Sequence, residues 1–114
     1  MARHYRVTLR IVFYREEGRW IAHCLEFDLL GDGDTKQSAM DRLHQAISLQ
    51  IEQSLKHNNP ANLFSPADGE YQRMFAAGTD VTEAELSMPF EQVDNFDFDK
   101  PDVRVYSDND LVPA

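Results

Sequence analysis

The stretch from Arg19 to Phe27 constrains this chain most, because both of its alternating sets of side chains are apolar. Successive side chains of an extended strand point to opposite faces. Trp20, Ala22 and Cys24 would lie on one face, and Ile21, His23, Leu25 and Phe27 on the other. Such a strand belongs inside a sheet that is covered on two sides. Just before it, Tyr5, Val7, Leu9, Ile11 and Phe13 alternate with Arg6, Thr8, Arg10, Val12 and Tyr14, which predicts a half-buried first strand. Glu16-Glu17-Gly18 is a connection short enough to force an antiparallel hairpin, with Gly18 able to take a positive φ. Leu29-Leu30-Gly31 predicts a short third strand before a bend.

A helix follows. Asp34 or Thr35 can cap its free amides. Ala39, Leu43, Ala46, Ile47, Ile51 and Leu55 recur at spacings of three and four, one apolar stripe. Lys56 suits the helix C-terminus, Asn58 a left-handed cap, and Pro60 stops continuation. One helix cannot cover both faces of so small a sheet. The second face is therefore expected to meet the C-terminal segment or another subunit, with Ile21, His23, Leu25 and Phe27 as the oligomer or partner face.

Charge divides the chain. Residues 1–57 hold eight Lys/Arg and eight acids, whereas residues 58–114 hold three basic residues and twelve acids, so the net charge of −9 sits in the second half. An acidic segment repels phosphate backbones and attracts basic partners. Direct DNA binding is not expected, and any RNA contact, through Arg6, Arg10, Arg15 and Arg19, would be weak. In this half Ser65-Pro66-Ala67-Asp68 predicts a helix start with Pro at its first position, ending by Gly78, with Tyr71, Met74 and Phe75 on its buried side. Val103 and Val105 predict a late strand able to join the sheet. At 114 residues this makes one α+β domain: residues 1–58 as a β-β-β-α core and 59–114 as an acidic extension completing it.

Catalytic chemistry is hard to find in the sequence. His23 and Cys24 are neighbours in a strand and point to opposite faces, so they cannot pair as base and nucleophile. Cys24 reads as a small buried apolar residue, and His23 as a surface or interface histidine. Glu26, Asp28, Asp32 and Asp34 cluster around the bend, where two-metal nucleases place carboxylates. Yet a calcium loop starting at Asp32 fails, with Lys36 and Gln37 at its fifth and sixth positions and Leu43 at its twelfth. Gly31-Asp32-Gly33-Asp34 lacks the Lys-Ser/Thr ending of a phosphate loop, and its aspartates would repel phosphate. These acids are better placed to cap the helix and solvate the turn. The expectation is a non-enzymatic protein with no catalytic residues, metal or cofactor. No apolar run long enough for a membrane span and a single cysteine point to the cytoplasm.

The strand Tyr5-Arg-Val-Thr-Leu9, the strand Trp20-Ile-Ala-His-Cys-Leu-Glu-Phe27, then Gly33-Asp34-Thr35 and a helix with Ala39, Leu43 and Ala46-Ile47 resemble the HicB antitoxin family. The resemblance covers about half the chain and is nearest to short HicB-like proteins. It implies a small antiparallel β-β-β-α-β sheet on one main helix, of partial ribonuclease-H-like or double-stranded-RNA-binding-like form, without nuclease chemistry. It also implies binding to HicA, a small basic mRNA-cleaving toxin; a homodimer is expected separately, through the exposed sheet face or edge. The chain departs from the family at Glu26-Phe27-Asp28-Leu29-Leu30-Gly31, where a Pro-Asp-Leu-Pro-Gly turn is common, and at Ser38-Ala39. Residues 58–114 show no ribbon-helix-helix or helix-turn-helix, so promoter binding is not carried over. Glu91, Asp94, Asp97 and Asp99 are the expected contacts for a basic partner. Two other readings stay open: an orphan structural or regulatory domain, and a metal-dependent nuclease using Glu26, Asp28, Asp32 or Asp34.

Overall fold

The computed structural model describes residues 5–56, 65–81, 92–93 and 96–107. In chain order these form β1 (Tyr5–Val7), β2 (Arg10–Glu16), β3 (Arg19–Cys24), β4 (Leu29–Gly33), α1 (Lys36–Lys56), α2 (Gly69–Ala77), β5 (Thr79–Asp80), β6 (Gln92–Val93), β7 (Phe96–Phe98) and β8 (Asp102–Val105). The fold is α+β, a five-stranded sheet in the order β4-β3-β2-β8-β5 with the main helix α1 packed on it. A smaller sheet, β1-β7-β6, continues from one end.

β2 and β3 form the expected hairpin, with Glu16 opposite Arg19 and the turn residues Glu17 and Gly18 both at positive φ. β4 adds antiparallel to β3. The sheet is not wholly antiparallel, however. β8 lies parallel to β2, from Arg10 opposite Asp102 to Phe13 opposite Val105, and β1 lies parallel to β7. A parallel pair cannot be closed by a tight turn, and here the long connection through α1 and α2 lies between β2 and β8. The long first strand of the sequence is in fact interrupted at Thr8 and Leu9. Pairing bridges the gap, with the Asp99 amide donating to the Val7 carbonyl and the Asp102 amide to that of Leu9.

Thr35 caps α1: its hydroxyl accepts from the Ser38 amide at 3.1 Å while the Ser38 hydroxyl accepts from the Thr35 amide at 3.2 Å. Ala39, Met40, Leu43, Ile47 and Ile51 are buried against Leu9, Ile11, Phe13, Ala22, Cys24 and Val103. Gly31 lets β4 pass close under α1, since a Cβ there would lie 2.3 Å from the Leu43 nitrogen and 2.5 Å from the Ala39 oxygen. Asn58, Pro60 and the side chain of Leu55 lie outside the described residues.

The second sheet face is covered from within the chain. Val12, Tyr14, Ile21, Leu25 and Tyr106 pack with Ala67, Tyr71, Met74 and Phe75, so α2 and the turn before it form a third layer. The second face thus meets the C-terminal segment, one of the two coverings expected, and two finer expectations are corrected. β2 is buried on both faces from Ile11 to Tyr14, not half-buried. And Ile21, His23 and Leu25 are not a free partner face, because α2 occupies it. Phe27 does not share that face: β3 ends at Cys24, the alternation stops in the turn, and Phe27 packs in the α1-side cluster.

α2 begins at Gly69, later than the sequence suggests, and Asp68 stands at its N-cap without a side-chain hydrogen bond. Ser65 and Ala67 instead donate their amides to the carbonyls of Glu26 and Leu25, which holds Ser65–Ala67 to the end of β3. Phe75 anchors the helix, with the Arg104 guanidinium 4.2 Å from its ring centroid and donating to its carbonyl at 3.1 Å.

Candidate functional site

The α2 side of the β2-β3 hairpin carries a buried polar arrangement. It is built by strand parity: Val12 and Tyr14 on β2 and Ile21 and His23 on β3 face α2, and Tyr71 comes down from α2 onto His23. His23 is buried, at 2% exposure, under the chain's own α2, so of the surface and interface readings the surface one does not hold. Its Nε2 lies 2.7 Å from Asp28 Oδ1 and its Nδ1 3.0 Å from the Tyr14 hydroxyl. The Tyr71 ring lies 4.2 Å from the imidazole centroid to centroid and is stacked 5.7 Å from the Tyr14 ring.

This chain of groups has a definite polarity. An ionised Asp28 only accepts hydrogen bonds, so Nε2 carries the proton it donates to Asp28, and in neutral imidazole Nδ1 is then the acceptor for the Tyr14 hydroxyl. Burial, and then the charges of Tyr71, Glu16 and Glu70, push the Tyr14 hydroxyl well above its ordinary value, so it remains a phenol. Neither nitrogen of His23 is open to a substrate. The arrangement resembles a relay in composition, but its geometry makes it a clasp holding α2 to the sheet. Asp28, at the half-exposed end, sits in the left-handed region with φ 52°, where Asp is tolerated better than most residues.

Beside the clasp, Tyr14, Arg15, Glu16, Glu70, Tyr71 and Met74 line an open groove of about 200 Å³. Sequence reasoning placed Tyr71 and Met74 on a buried helix side and missed the groove, because nothing local pairs α2 with the end of β2. The one available signal was parity, which sets Tyr14 and Glu16 on the same face.

The acids around the bend are each held by a cationic or imidazole partner of the fold. Glu26 accepts from the Arg10 amide and from Arg10 Nε, both at 2.6 Å. Asp28 holds His23, while Asp32 and Asp34 bind Arg19 Nε and Nη1 at 2.9 and 2.8 Å. Among the described residues, no three His, Cys, Asp or Glu are grouped to hold a metal ion. These same pairs consume most of the basic stripe: Arg10 and Arg19 are neutralised, and Arg6 binds Asp99 at 2.9 Å. Cys24 is fully buried on the α1 side, and desolvation pushes its thiol up to about 12.

Of the four acids expected to meet a basic partner, Glu91 and Asp94 lie outside the described residues. Asp97 stands in β7 opposite Arg6. Asp99 accepts from Arg6 Nε at 2.9 Å and the Thr8 hydroxyl at 3.0 Å, and these bonds hold its carboxyl below the usual range. It joins β1 to β7. Comparison with protein-family models, curated proteins and solved structures finds no match to this chain. No helix among the described residues is long and apolar enough to cross a membrane.

Proposed function

We propose that this chain is a non-enzymatic, cytoplasmic binding protein of the HicB-like antitoxin kind, whose partner is a small basic RNA-cleaving protein. The observation that carries the reading is the position of β8. The chain runs β2-β3-β4-α1 and then returns a strand parallel beside β2. That gives the β-β-β-α-β sheet on one main helix that the sequence resemblance implies.

Two further features support a binding role. Two side chains able to do acid-base chemistry, His23 and Glu26, are tied up within the fold, His23 by Tyr14 and Asp28 and Glu26 by Arg10. Charge supports the choice of partner, since the second half of the chain carries all of the net −9 and would attract a basic surface from beyond contact distance.

The test is co-expression with a short, basic, RNA-cleaving protein encoded beside this one. The expected outcome is restored growth, recovery of both chains as one complex, and loss of RNA cleavage when this protein is in excess. Undiminished cleavage in the presence of excess protein, or no such basic neighbour, would favour an orphan structural domain.

A further inference from the structure

The groove between the end of β2 and α2 combines three properties. Its floor is aromatic: Tyr14 and Tyr71 are stacked at an interplanar angle of 25°, with Met74 beside them. The Tyr14 hydroxyl is bonded to His23 and the Tyr71 ring packs on the same imidazole, so both rings are held in place. Its rim is acidic, with Glu16 from β2 and Glu70 from α2 both exposed and both close enough to raise the Tyr14 hydroxyl through their charge. Neither glutamate has an ion-pair partner among the described residues. The cation that also lines the groove is turned to other work: Arg15 donates to the Gly18 carbonyl at 2.9 Å and lies 5.1 Å from the Trp20 ring centroid.

We infer that this groove is a docking site for an arginine side chain of a basic protein partner. Aromatic faces attract a cation through their quadrupole, and arginine, planar and weakly hydrated, stacks on them better than lysine. The two carboxylates that line the groove, Glu16 and Glu70, offer the guanidinium fork hydrogen-bond acceptors. A volume of about 200 Å³ accommodates the guanidinium together with its methylene stem. The carboxylates arrive from different elements, so the site exists only while α2 is seated by Tyr71, His23 and Phe75. The identity of the partner as a basic protein rests on the function proposed above, whereas the groove's preference for a guanidinium does not.

The experiment uses the full chain and a blocked Gly-Arg-Gly peptide as probe, with a citrulline peptide as its uncharged isostere, and reads the NMR shifts of the Met74 methyl and Tyr71 ring. Saturable shifts with the arginine peptide are expected, at least about tenfold weaker with citrulline and about tenfold weaker in the E16Q/E70Q double variant. Glu52→Gln, an exposed acid on α1, should leave the titration unchanged. Absence of shifts, equal binding of citrulline, or an equal loss in Glu52→Gln would overturn the inference. The same variants, mixed with the basic RNA-cleaving partner, separate the two proposals. A partner that binds the wild type and E16Q/E70Q equally removes the groove and leaves the function. Peptide binding without any basic partner removes the function and leaves the groove.

Discussion

Asp28 Oδ1 lies 2.7 Å from Nε2 of His23, so a half-exposed turn residue fixes the orientation of a buried histidine across the sheet face that α2 covers. The imidazole then accepts from Tyr14 at its other nitrogen, and Tyr71 packs on it. Stability and site geometry meet at these four side chains, and their substitution should be measurable without any knowledge of a partner.

His23→Ala removes an acceptor from the buried Tyr14 hydroxyl and leaves a void under Tyr71. It should cost about 3 kcal/mol in urea unfolding, the sum of a lost buried hydrogen bond and a small cavity. Tyr14→Phe, which deletes only the hydroxyl, should cost about 1 kcal/mol. Because the two groups serve each other, the double variant should be less destabilised than the sum. Strict additivity would show that the contact carries no energy.

Asp28 combines a hydrogen bond with a positive φ, and substitutions separate the two. Asp28→Asn keeps an acceptor for Nε2 and a residue type that tolerates the left-handed region, so its melting temperature should stay within a few degrees of wild type. Asp28→Ala loses both, and should cost about 2 kcal/mol. Asp28→Gly keeps the backbone and loses the bond, and should fall between them. An Ala variant as stable as the Asn variant would show that neither effect operates.

Much of the sheet was legible in the sequence because parity and turn chemistry are local. Ile11 and Phe13 on one side, Val12 and Tyr14 on the other, the Glu17-Gly18 turn and the Thr35 cap all follow from short-range rules. The direction of β8 was not legible, since Val103 and Val105 alternate identically in parallel and antiparallel strands. Nor was the site. His23 reads as exposed because its partners, Tyr71 in α2 and Asp28 beyond the end of β3, come from a helix far along the chain and a turn that alternation does not describe. Phe27 was assigned to the wrong face for the second of these reasons.

The close passage of β4 under α1 makes a sharper test of the fold. At Gly31 an added Cβ would stand 2.5 Å from the Ala39 oxygen and 2.3 Å from the Leu43 nitrogen, both backbone atoms that cannot rotate away. Gly31→Ala must therefore lift the helix off the strand, and should cost about 3 kcal/mol or more, as other overpacked sites do. Gly18 differs: its φ is +80° but nothing lies within 4 Å of an added Cβ. Gly18→Ala should cost only about 1 kcal/mol, from backbone strain alone. Circular dichroism melts of the pair would decide, and equal costs at the two positions would contradict the contact between β4 and α1.

Alkaline pH should weaken the fold in two steps, and the sign follows from burial. The Cys24 thiol is pushed from 9.0 up to about 12 by desolvation, and the Tyr14 hydroxyl is raised from its ordinary 10.0. In both cases the unfolded chain releases its proton first, so the folded state binds more protons and stability falls as pH rises. The Cys24 contribution is fully present below about pH 9 and is lost progressively toward about 12, with a slope of no more than about 1.4 kcal/mol per pH unit. Tyr14 adds its own loss above about pH 10. Urea midpoints measured across this range should show the decline beginning near 9 in the wild type and nearer 10 in Cys24→Ala, where only the tyrosine remains, with a further flattening in Cys24→Ala/Tyr14→Phe. An onset unchanged by Cys24→Ala would mean that the thiol ionises as readily in the folded protein as in the unfolded chain. That would contradict its place beneath α1.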